Sequence, residues 1–115
     1  MSPNRNKERG DRAERAALKS AIDNGHDARR TRAGYERDAG DLHLFTPAGM
    51  VVAQVKDCKA YAWPAWFKQL DQQIDEAEAV AGFLWVKRPG MGDAGEWLAV
   101  MPARDMLKLL NRTPA

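Results

Sequence analysis

The chain has 115 residues, of which 44% are hydrophobic and 30% are charged, and its formal net charge is +2. This length suits one domain with a modest core and excludes two, so we expect a single domain over residues 1–115, with residues 1–6 flexible. The single cysteine, Cys58, excludes an internal disulfide and fits a reducing cytoplasm, and no apolar run reaches membrane-spanning length.

The first predicted element is a helix from about Lys7 to Asp23, which ends at Asn24-Gly25, a common C-terminal stop. Its apolar stripe consists of Ala13, Ala17, Leu18, Ala21 and Ile22. Glu14 lies in the middle of this stripe, where a carboxylate is costly unless it is paired, hydrogen-bonded or bound to a metal. An ion pair with a nearby arginine and a place in an active site both satisfy this requirement.

Basic residues are concentrated in the first third of the chain. Residues 1–38 hold ten Lys or Arg and seven Asp or Glu, whereas the remainder holds eight and nine. Such an excess favours contact with a polyanion, and the planar fork of arginine fits phosphate well. A solvated charged surface is the alternative. The residues expected to contact a nucleic-acid backbone are Arg5, Lys7, Arg29, Arg30, Arg32 and Arg37 in this part of the chain, and Lys87 and Arg88 further along it.

A short polar strand is expected over residues 26–32, followed by a loop over residues 33–40. A hairpin comes next, with strands over residues 41–45 and 50–56 and a Thr46-Pro47-Ala48-Gly49 turn between them. Side chains alternate along a strand. This alternation predicts that Val51, Ala53 and Val55 face a core, whereas Gln54 and Lys56 face Asp41 on the neighbouring strand.

The side chains of Asp41, Gln54 and Lys56 form a chemically specific trio. A carboxylate and an amide oxygen both ligate a hard cation such as Mg²⁺. A lysine beside that cation can hold or deprotonate a water and can steady a phosphate. Phosphodiester hydrolysis needs these functions together. The alternative is a salt-bridged edge of an ordinary sheet.

The remaining elements complete an α-β-β-β-α-β-β-α order. A helix is predicted from Trp63-Pro64 to about Ala81. Two strands follow, over residues 83–87 and 96–101, and a glycine-rich reversal connects them. The last predicted element is a helix over residues 103–110. The second helix carries the apolar stripe Trp63, Trp66, Phe67, Leu70, Ile74, Ala77 and Ala81, and part of this aromatic surface is expected to serve a dimer contact. The order predicts an α/β fold with a mixed central sheet flanked by helices. The first three strands form an antiparallel meander, and the helix after them allows the next strand to pair in parallel.

His26, His43 and Cys58 lack the spacing of zinc ligands. His43 shares a strand face with Asp41. We expect a histidine on the surface there, and the alternative is a histidine that approaches the site.

Three segments together resemble the PD-(D/E)XK nuclease superfamily, and within it the small archaeal-type and phage Holliday-junction resolvases. Gly10-Asp11-Arg12-Ala13-Glu14-Arg15 resembles the first-helix signature of those resolvases, in which a glutamate joins the metal site. Gly40-Asp41 resembles the motif with the metal-binding aspartate, although glycine replaces proline. Gln54-Val55-Lys56 stands where the superfamily usually has Glu-X-Lys, and some members look similar in using Gln-X-Lys.

The resemblance implies a restriction-endonuclease-like core with Glu14, Asp41, Gln54 and Lys56 as catalytic residues. It implies that Mg²⁺, or Mn²⁺, is bound by Glu14, Asp41, Gln54 and the backbone carbonyl of Val55. An amide at position 54 removes one negative charge, so metal affinity should drop and Glu14 should matter more.

The expected function is therefore that of a metal-dependent, structure-selective DNA endonuclease, a Holliday-junction resolvase that acts on four-way or other branched DNA. A symmetric junction suits a homodimer with two matched sites. The resemblance further suggests a phage-encoded protein in a bacterial cytoplasm, with no membrane partner. The alternatives are a restriction-type or nicking endonuclease on the same fold and a non-catalytic DNA-binding module with a degenerate site.

Overall fold

A computed structural model of the chain describes residues 4–111. The helices are α1 (Asn4–Asp23), α2 (Trp63–Ala77) and α3 (Ala103–Leu110). The strands are β1 (Asp27–Arg30), β2 (Leu42–Thr46), β3 (Gly49–Lys56), β4 (Ala81–Val86) and β5 (Leu98–Val100), and a 3₁₀ turn spans Ala94–Glu96. The predicted order of helices and strands is confirmed. No helix within residues 4–111 has both the length and the apolar character needed to cross a membrane.

The five strands form one mixed sheet in the order β1-β2-β3-β4-β5. β1, β2 and β3 make an antiparallel meander, because short connections between neighbouring strands reverse the chain. α2 then carries the chain across the sheet, so β4 runs parallel to β3, and β5 pairs antiparallel with β4. The expected α/β class, with a mixed central sheet and helices against it, is confirmed.

β3 is the central strand and is buried on both faces. Ala53 and Val55 pack in a cluster with Ala13 and Ala17 of α1, whereas Val52 packs with α2 on the opposite face. The predicted alternation along β3 is therefore correct, but the face that carries Gln54 is also covered. Residues 51–55 are all buried as a result.

The buried stripe of α1 is narrower than predicted. Ala13, Ala17 and Ala21 are buried, but Ile22 is 51% exposed, so its assignment to the core face was wrong. Ile22 lies about 100° around the helix axis from Ala21 and therefore points away from the sheet. Three alanines in a row along the contact bring the helix backbone close to the strands.

Several boundaries differ from the prediction. α1 begins at Asn4, so residues 4–6 are helical, and the flexibility expected for residues 1–3 lies outside the described residues. α2 ends at Ala77, four residues early, because Glu78 adopts a left-handed conformation with φ 54°. The next amide, that of Ala79, donates to the carbonyl of Ile74 at 3.0 Å, a common helix-terminating pattern. The chain is then free to start β4 at Ala81, which was predicted to be helical.

Candidate active site

The candidate site lies at the end of β3, where Asp41 leads into β2. The Asp41 backbone amide donates to the carbonyl of Ala53 at 3.2 Å, and its carboxylate Oδ2 accepts from the amide of Val55 at 2.8 Å. Asp41 is thereby fixed between Gln54 and Lys56 along the strand. The backbone amide of Val55 is occupied by this hydrogen bond, and the side chain of Val55 is buried in the hydrophobic cluster beneath α1. A metal contact through the Val55 carbonyl stays a prediction.

Glycine at position 40 is required by the backbone. Gly40 has φ 93°, a conformation that proline cannot adopt. A Cβ atom here would also collide with Cγ1 of Val52. The departure from the usual Pro-Asp pair therefore has a local steric reason, and it leaves Asp41 itself in place.

The Glu14 carboxylate acts on Asp41, although Glu14 comes from α1 and Asp41 lies just before β2. Burial first and the nearby Glu14 carboxylate second raise the pKa of Asp41 to about 7, against the lowering effects of the Val55 amide and the Lys56 ammonium. Burial likewise raises the pKa of Glu14, against the lowering effect of Arg30. Two carboxylates held in this way repel one another, so this place favours a cation or a proton.

Glu14 also makes the ion pair that the sequence left open as an alternative. Its Oε1 accepts from Nη2 of Arg30 at 3.3 Å, and the same nitrogen lies 3.8 Å from Asp11. The Arg30 side chain is 47% exposed, whereas that of Glu14 is 20% exposed. The two interpretations of Glu14 are thus compatible: it is paired with an arginine on its outer side and influences Asp41 on its inner side.

Gln54 and Lys56 lie on the face of β3 that packs against α2, whereas Glu14 comes from α1, which packs against the other face. The Oε1 atom of Gln54, the atom that would ligate a metal, accepts from Nε2 of Gln73 at 2.8 Å. Nζ of Lys56 donates to Oε1 of Gln69 at 3.2 Å and lies 5.3 Å from the ring centroid of Trp66. The predicted common face of Gln54 and Lys56 is confirmed, but both side chains bond to α2, and the Asp41 carboxylate accepts from the Val55 amide instead. Of the two, Lys56 acts on Asp41 through its charge. In this arrangement both side chains are held by glutamines one helical turn apart.

Asp38 joins these two glutamines and was missed by sequence reasoning. Its Oδ2 accepts from Nε2 of Gln73 at 2.9 Å and from Nε2 of Gln69 at 3.2 Å, and its Oδ1 accepts from the Gly40 amide at 2.9 Å. Burial alone would raise the pKa of Asp38, but the hydrogen bonds from Gln73, Gly40 and Gln69 outweigh it and lower that pKa. Asp38 therefore anchors, as a carboxylate, the glutamines that hold Gln54 and Lys56.

The sequence carried one signal for this network. Gln73 occurs between Leu70 and Ala77, inside the apolar stripe of α2, and it is fully buried. A polar side chain in such a stripe requires a partner, by the same reasoning that singled out Glu14 on α1. Asp38 carried no such signal, because it lies in a loop and meets α2 only through the tertiary fold.

His43 is buried, so the prediction of a surface histidine was wrong. It is 4% exposed, and its Nε2 is 2.8 Å from the carbonyl of Ala39. The ring of Tyr35 meets it edge-on, with ring centroids 5.7 Å apart. The loop between β1 and β2 covers this face of β2, and His43 fixes that loop next to Gly40.

The residues predicted to contact DNA are distributed over several surfaces. Arg5 and Lys7 are exposed on the first turns of α1, and Arg32 and Arg37 are exposed on the loop after β1. Arg29 and Arg30 lie on the edge strand β1, where Arg29 pairs with Asp27 at 3.4 Å and Arg30 with Glu14. On the other side of β3, Lys87 lies 3.8 Å from Asp57, and Arg88 donates to the carbonyl of Glu96 at 3.0 Å.

The aromatic residues expected at a dimer contact pack mainly against their own domain. Trp66 is 8% exposed, and Trp63 and Phe67 pack against the same cluster beneath α2. Tyr61 is 40% exposed beside them. The larger exposed apolar surface is on α3, where Met106, Leu107 and Leu110 are 41%, 57% and 70% exposed.

The donor set at the site fits magnesium when substrate is counted. Within residues 4–111, no three or more His, Cys, Asp or Glu side chains come together as a metal-binding group. Mg²⁺, however, is often held by one or two carboxylates, with waters and substrate phosphates completing its shell. Glu14 and Asp41 supply two such carboxylates; burial raises the pKa of each, and the Glu14 charge also raises that of Asp41, so a nearby cation would stabilise their charged forms.

No protein-family model matches this chain, and neither does the sequence of any curated protein. We therefore infer function from the geometry and electrostatics of the site.

Proposed function

We propose that this protein is a metal-dependent endodeoxyribonuclease with a restriction-endonuclease-like core, which cuts four-way or other branched DNA by hydrolysing phosphodiester bonds. The observation that carries the proposal is the partly buried Asp41 carboxylate, which the Val55 amide holds at the end of β3 and which feels the charges of both Glu14 and Lys56. Glu14 lies on α1, Asp41 lies just before β2 and Lys56 ends β3. Burial and the Glu14 charge raise the pKa of Asp41 to about 7, against the lowering effect of the Lys56 ammonium. Perturbed titrating groups of this kind are typical of catalytic sites.

Each side chain has a distinct chemical role in this proposal. Glu14 and Asp41 would hold a divalent cation, Mg²⁺ or Mn²⁺, which when bound supplies positive charge to a phosphate and lowers the pKa of a water. Lys56 holds the attacking water or a phosphate oxygen, and its hydrogen bond to Gln69 orients the ammonium. Gln54 would offer a neutral oxygen to the cation if its Oε1 atom were released from the hydrogen bond with Gln73.

A non-catalytic DNA-binding module is the second candidate. It is favoured by the engagement of Gln54 Oε1 with Gln73 and by the lack of a third carboxylate from β3. In that case the exposed arginines near β1 would contact the DNA backbone, and the pair of Glu14 and Asp41 would have no reaction to serve. A restriction-type or nicking endonuclease differs from a resolvase only in substrate.

A homodimer is part of the proposal, because a junction presents two strands related by near two-fold symmetry. The exposed apolar side chains of α3 supply a surface for such a contact. Light scattering at micromolar concentration should give the mass of a dimer. A monomer mass both with and without a DNA junction would contradict the dimer.

A panel of labelled DNA substrates tests the function. Four-way junction, flap, nicked duplex and linear duplex of matched sequence are each incubated with the full chain in Mg²⁺, in Mn²⁺ and in EDTA. Preferred cutting of the junction supports a resolvase, and cutting of linear duplex at defined sequences supports a restriction-type enzyme. Binding without cutting of any substrate supports the non-catalytic module.

A further inference from the structure

A cleft of about 190 Å³ lies beside the candidate active site, on the α1 side of the sheet. Its walls are formed by α1, by the chain just after β3, by the chain just after β4 and by Trp97. The backbone amide of Lys87 donates to the carbonyl of Lys56 at 2.9 Å, so this cleft begins where the candidate site ends. Lys56 faces α2, whereas the next residue, Asp57, faces the cleft.

Three cationic side chains surround a single carboxylate in this cleft. Arg9 and Lys87 lie 3.9 and 3.8 Å from Oδ2 of Asp57, and Arg12 completes the group. Both separations exceed the usual hydrogen-bond length of about 2.7–3.2 Å. Within residues 4–111, no carboxylate lies within 4 Å of the Arg12 guanidinium. Positive charge therefore exceeds negative charge in a concave place, where the cations repel one another.

The cleft also has a firm floor. Nε1 of Trp97 donates to the carbonyl of Met91 at 2.7 Å, and the Trp97 side chain is 8% exposed. Nζ of Lys87 lies 5.7 Å from the centroid of the Trp97 ring, which orients the ammonium. Three cations that line one cleft, with loose internal ion pairs, can turn toward a tetrahedral oxyanion and bind it.

We propose that this cleft binds a backbone phosphate of the DNA strand next to the phosphate that is cut. Arg9, Arg12 and Lys87 contact the phosphate oxygens, and Asp57 is the internal anion that the phosphate displaces from Arg9 and Lys87. The naming of DNA as the source of the phosphate rests on the proposed function. The phosphate chemistry of the cleft does not, because it follows from the charges and the cavity alone.

The test uses the ¹⁵N-labelled full chain in EDTA, where no cutting occurs. Inorganic phosphate is titrated against sodium chloride of equal ionic strength, and the indole N–H signal of Trp97 and the guanidinium signals of Arg9 and Arg12 are followed by NMR. Saturable shifts are expected with phosphate. Arg12→Ala should weaken binding about tenfold, the loss of one charge-assisted hydrogen bond, whereas the matched control Arg104→Ala, on exposed α3, should leave it unchanged.

Asp57→Asn should change the phosphate affinity in the direction opposite to Arg12→Ala. It therefore distinguishes a phosphate site from a cluster of charges with a purely structural role. If phosphate competes with Asp57, this substitution should tighten phosphate binding severalfold. If Asp57 instead organises the three cations for a purely structural purpose, binding should weaken or vanish, and the proposal is overturned. Equal weakening by Arg12→Ala and Arg104→Ala would indicate general electrostatic attraction and would also overturn it.

Two duplexes, one with 5′-phosphate ends and one with 5′-hydroxyl ends, distinguish the sources of the phosphate. Equal shifts of the Trp97 signal with both support an internal backbone phosphate. Shifts with the phosphorylated duplex alone overturn that assignment in favour of a terminal phosphate. None of these binding measurements needs cleavage. If the cleft binds phosphate but the protein never cuts DNA, the proposed function is rejected and the phosphate site in the cleft still stands.

Discussion

Replacement of Asp41 by asparagine should make the metal-free protein more stable at high pH. The pKa of Asp41 is raised from its ordinary 3.8 to about 7. At pH values between these two, the folded protein therefore keeps a proton on Asp41 that the unfolded chain has lost. The free energy of unfolding must therefore fall as the pH rises through this window. Three pKa units at about 1.4 kcal/mol each give a cost of roughly 4 kcal/mol above pH 7.

Asparagine has nearly the same shape, keeps an oxygen to accept from the Val55 amide and carries no charge. In EDTA at pH 8, Asp41→Asn should thus raise the free energy of unfolding by up to about 4 kcal/mol, with no difference near pH 4, where wild-type Asp41 is protonated. Urea denaturation at the two pH values measures this. Saturating Mg²⁺ at pH 8 should raise the stability of the wild type and not that of Asp41→Asn.

Asp38→Asn is the matched control, because the pKa of Asp38 is lowered and its effect has the opposite sign. At pH values above the ordinary pKa of an aspartate, the charged Asp38 stabilises the folded protein, and this stability is lost as the pH falls through the pKa of Asp38 in the folded state. Asp38→Asn should therefore destabilise the protein at pH 8 and not at low pH. An Asp41→Asn protein that is less stable than wild type at pH 8, or whose difference does not change with pH, would refute the picture of a buried Asp41 beside Glu14.

Three further substitutions test the other members of the site. Glu14→Gln should abolish cleavage and lower the pKa of Asp41, measured by carbon NMR. The free energy of unfolding should change by only about 1 kcal/mol, because Arg30 is half exposed. A large loss of stability with cleavage retained would assign Glu14 to structure. Lys56→Ala should abolish cleavage and leave the gel-shift affinity for a junction within a few fold, and near-wild-type cutting would remove Lys56 from the site. Gln54→Glu should tighten Mg²⁺ binding about tenfold by calorimetry, since it restores a charged ligand, and an unchanged affinity would place residue 54 outside the metal site.

Periodicity was enough to predict the order of elements and both faces of β3. The ends of α2 and β4 were not predictable, because the stop at Ala77 depends on a left-handed Glu78, a residue with no intrinsic preference for that conformation. The exposure of Ile22 shows the same limit: hydrophobicity marked the stripe, but only the packing of α1 against the sheet sets its width.

For the site, the sequence identified the residues on strands and helices and missed those that depend on tertiary contact. Glu14 was visible as a carboxylate within an apolar stripe, and Gln73 on α2 carried the same signal. Asp38 could not be found in this way, because its partners are more than 30 residues away along the chain. His43 was assigned to the surface because the cover provided by the loop before β2 leaves no pattern in the sequence.

The most direct test of the proposed nuclease site is cleavage of an end-labelled four-way DNA junction by the wild type and by Asp41→Asn, purified in parallel, across a Mg²⁺ titration. We expect the wild type to cut the junction only when the cation is present, and Asp41→Asn to bind the junction without cutting it at any Mg²⁺ concentration. Equal cutting by both proteins would assign the activity to another site or to a contaminant. Binding by the wild type without cutting, in Mg²⁺ and in Mn²⁺, would contradict the nuclease assignment.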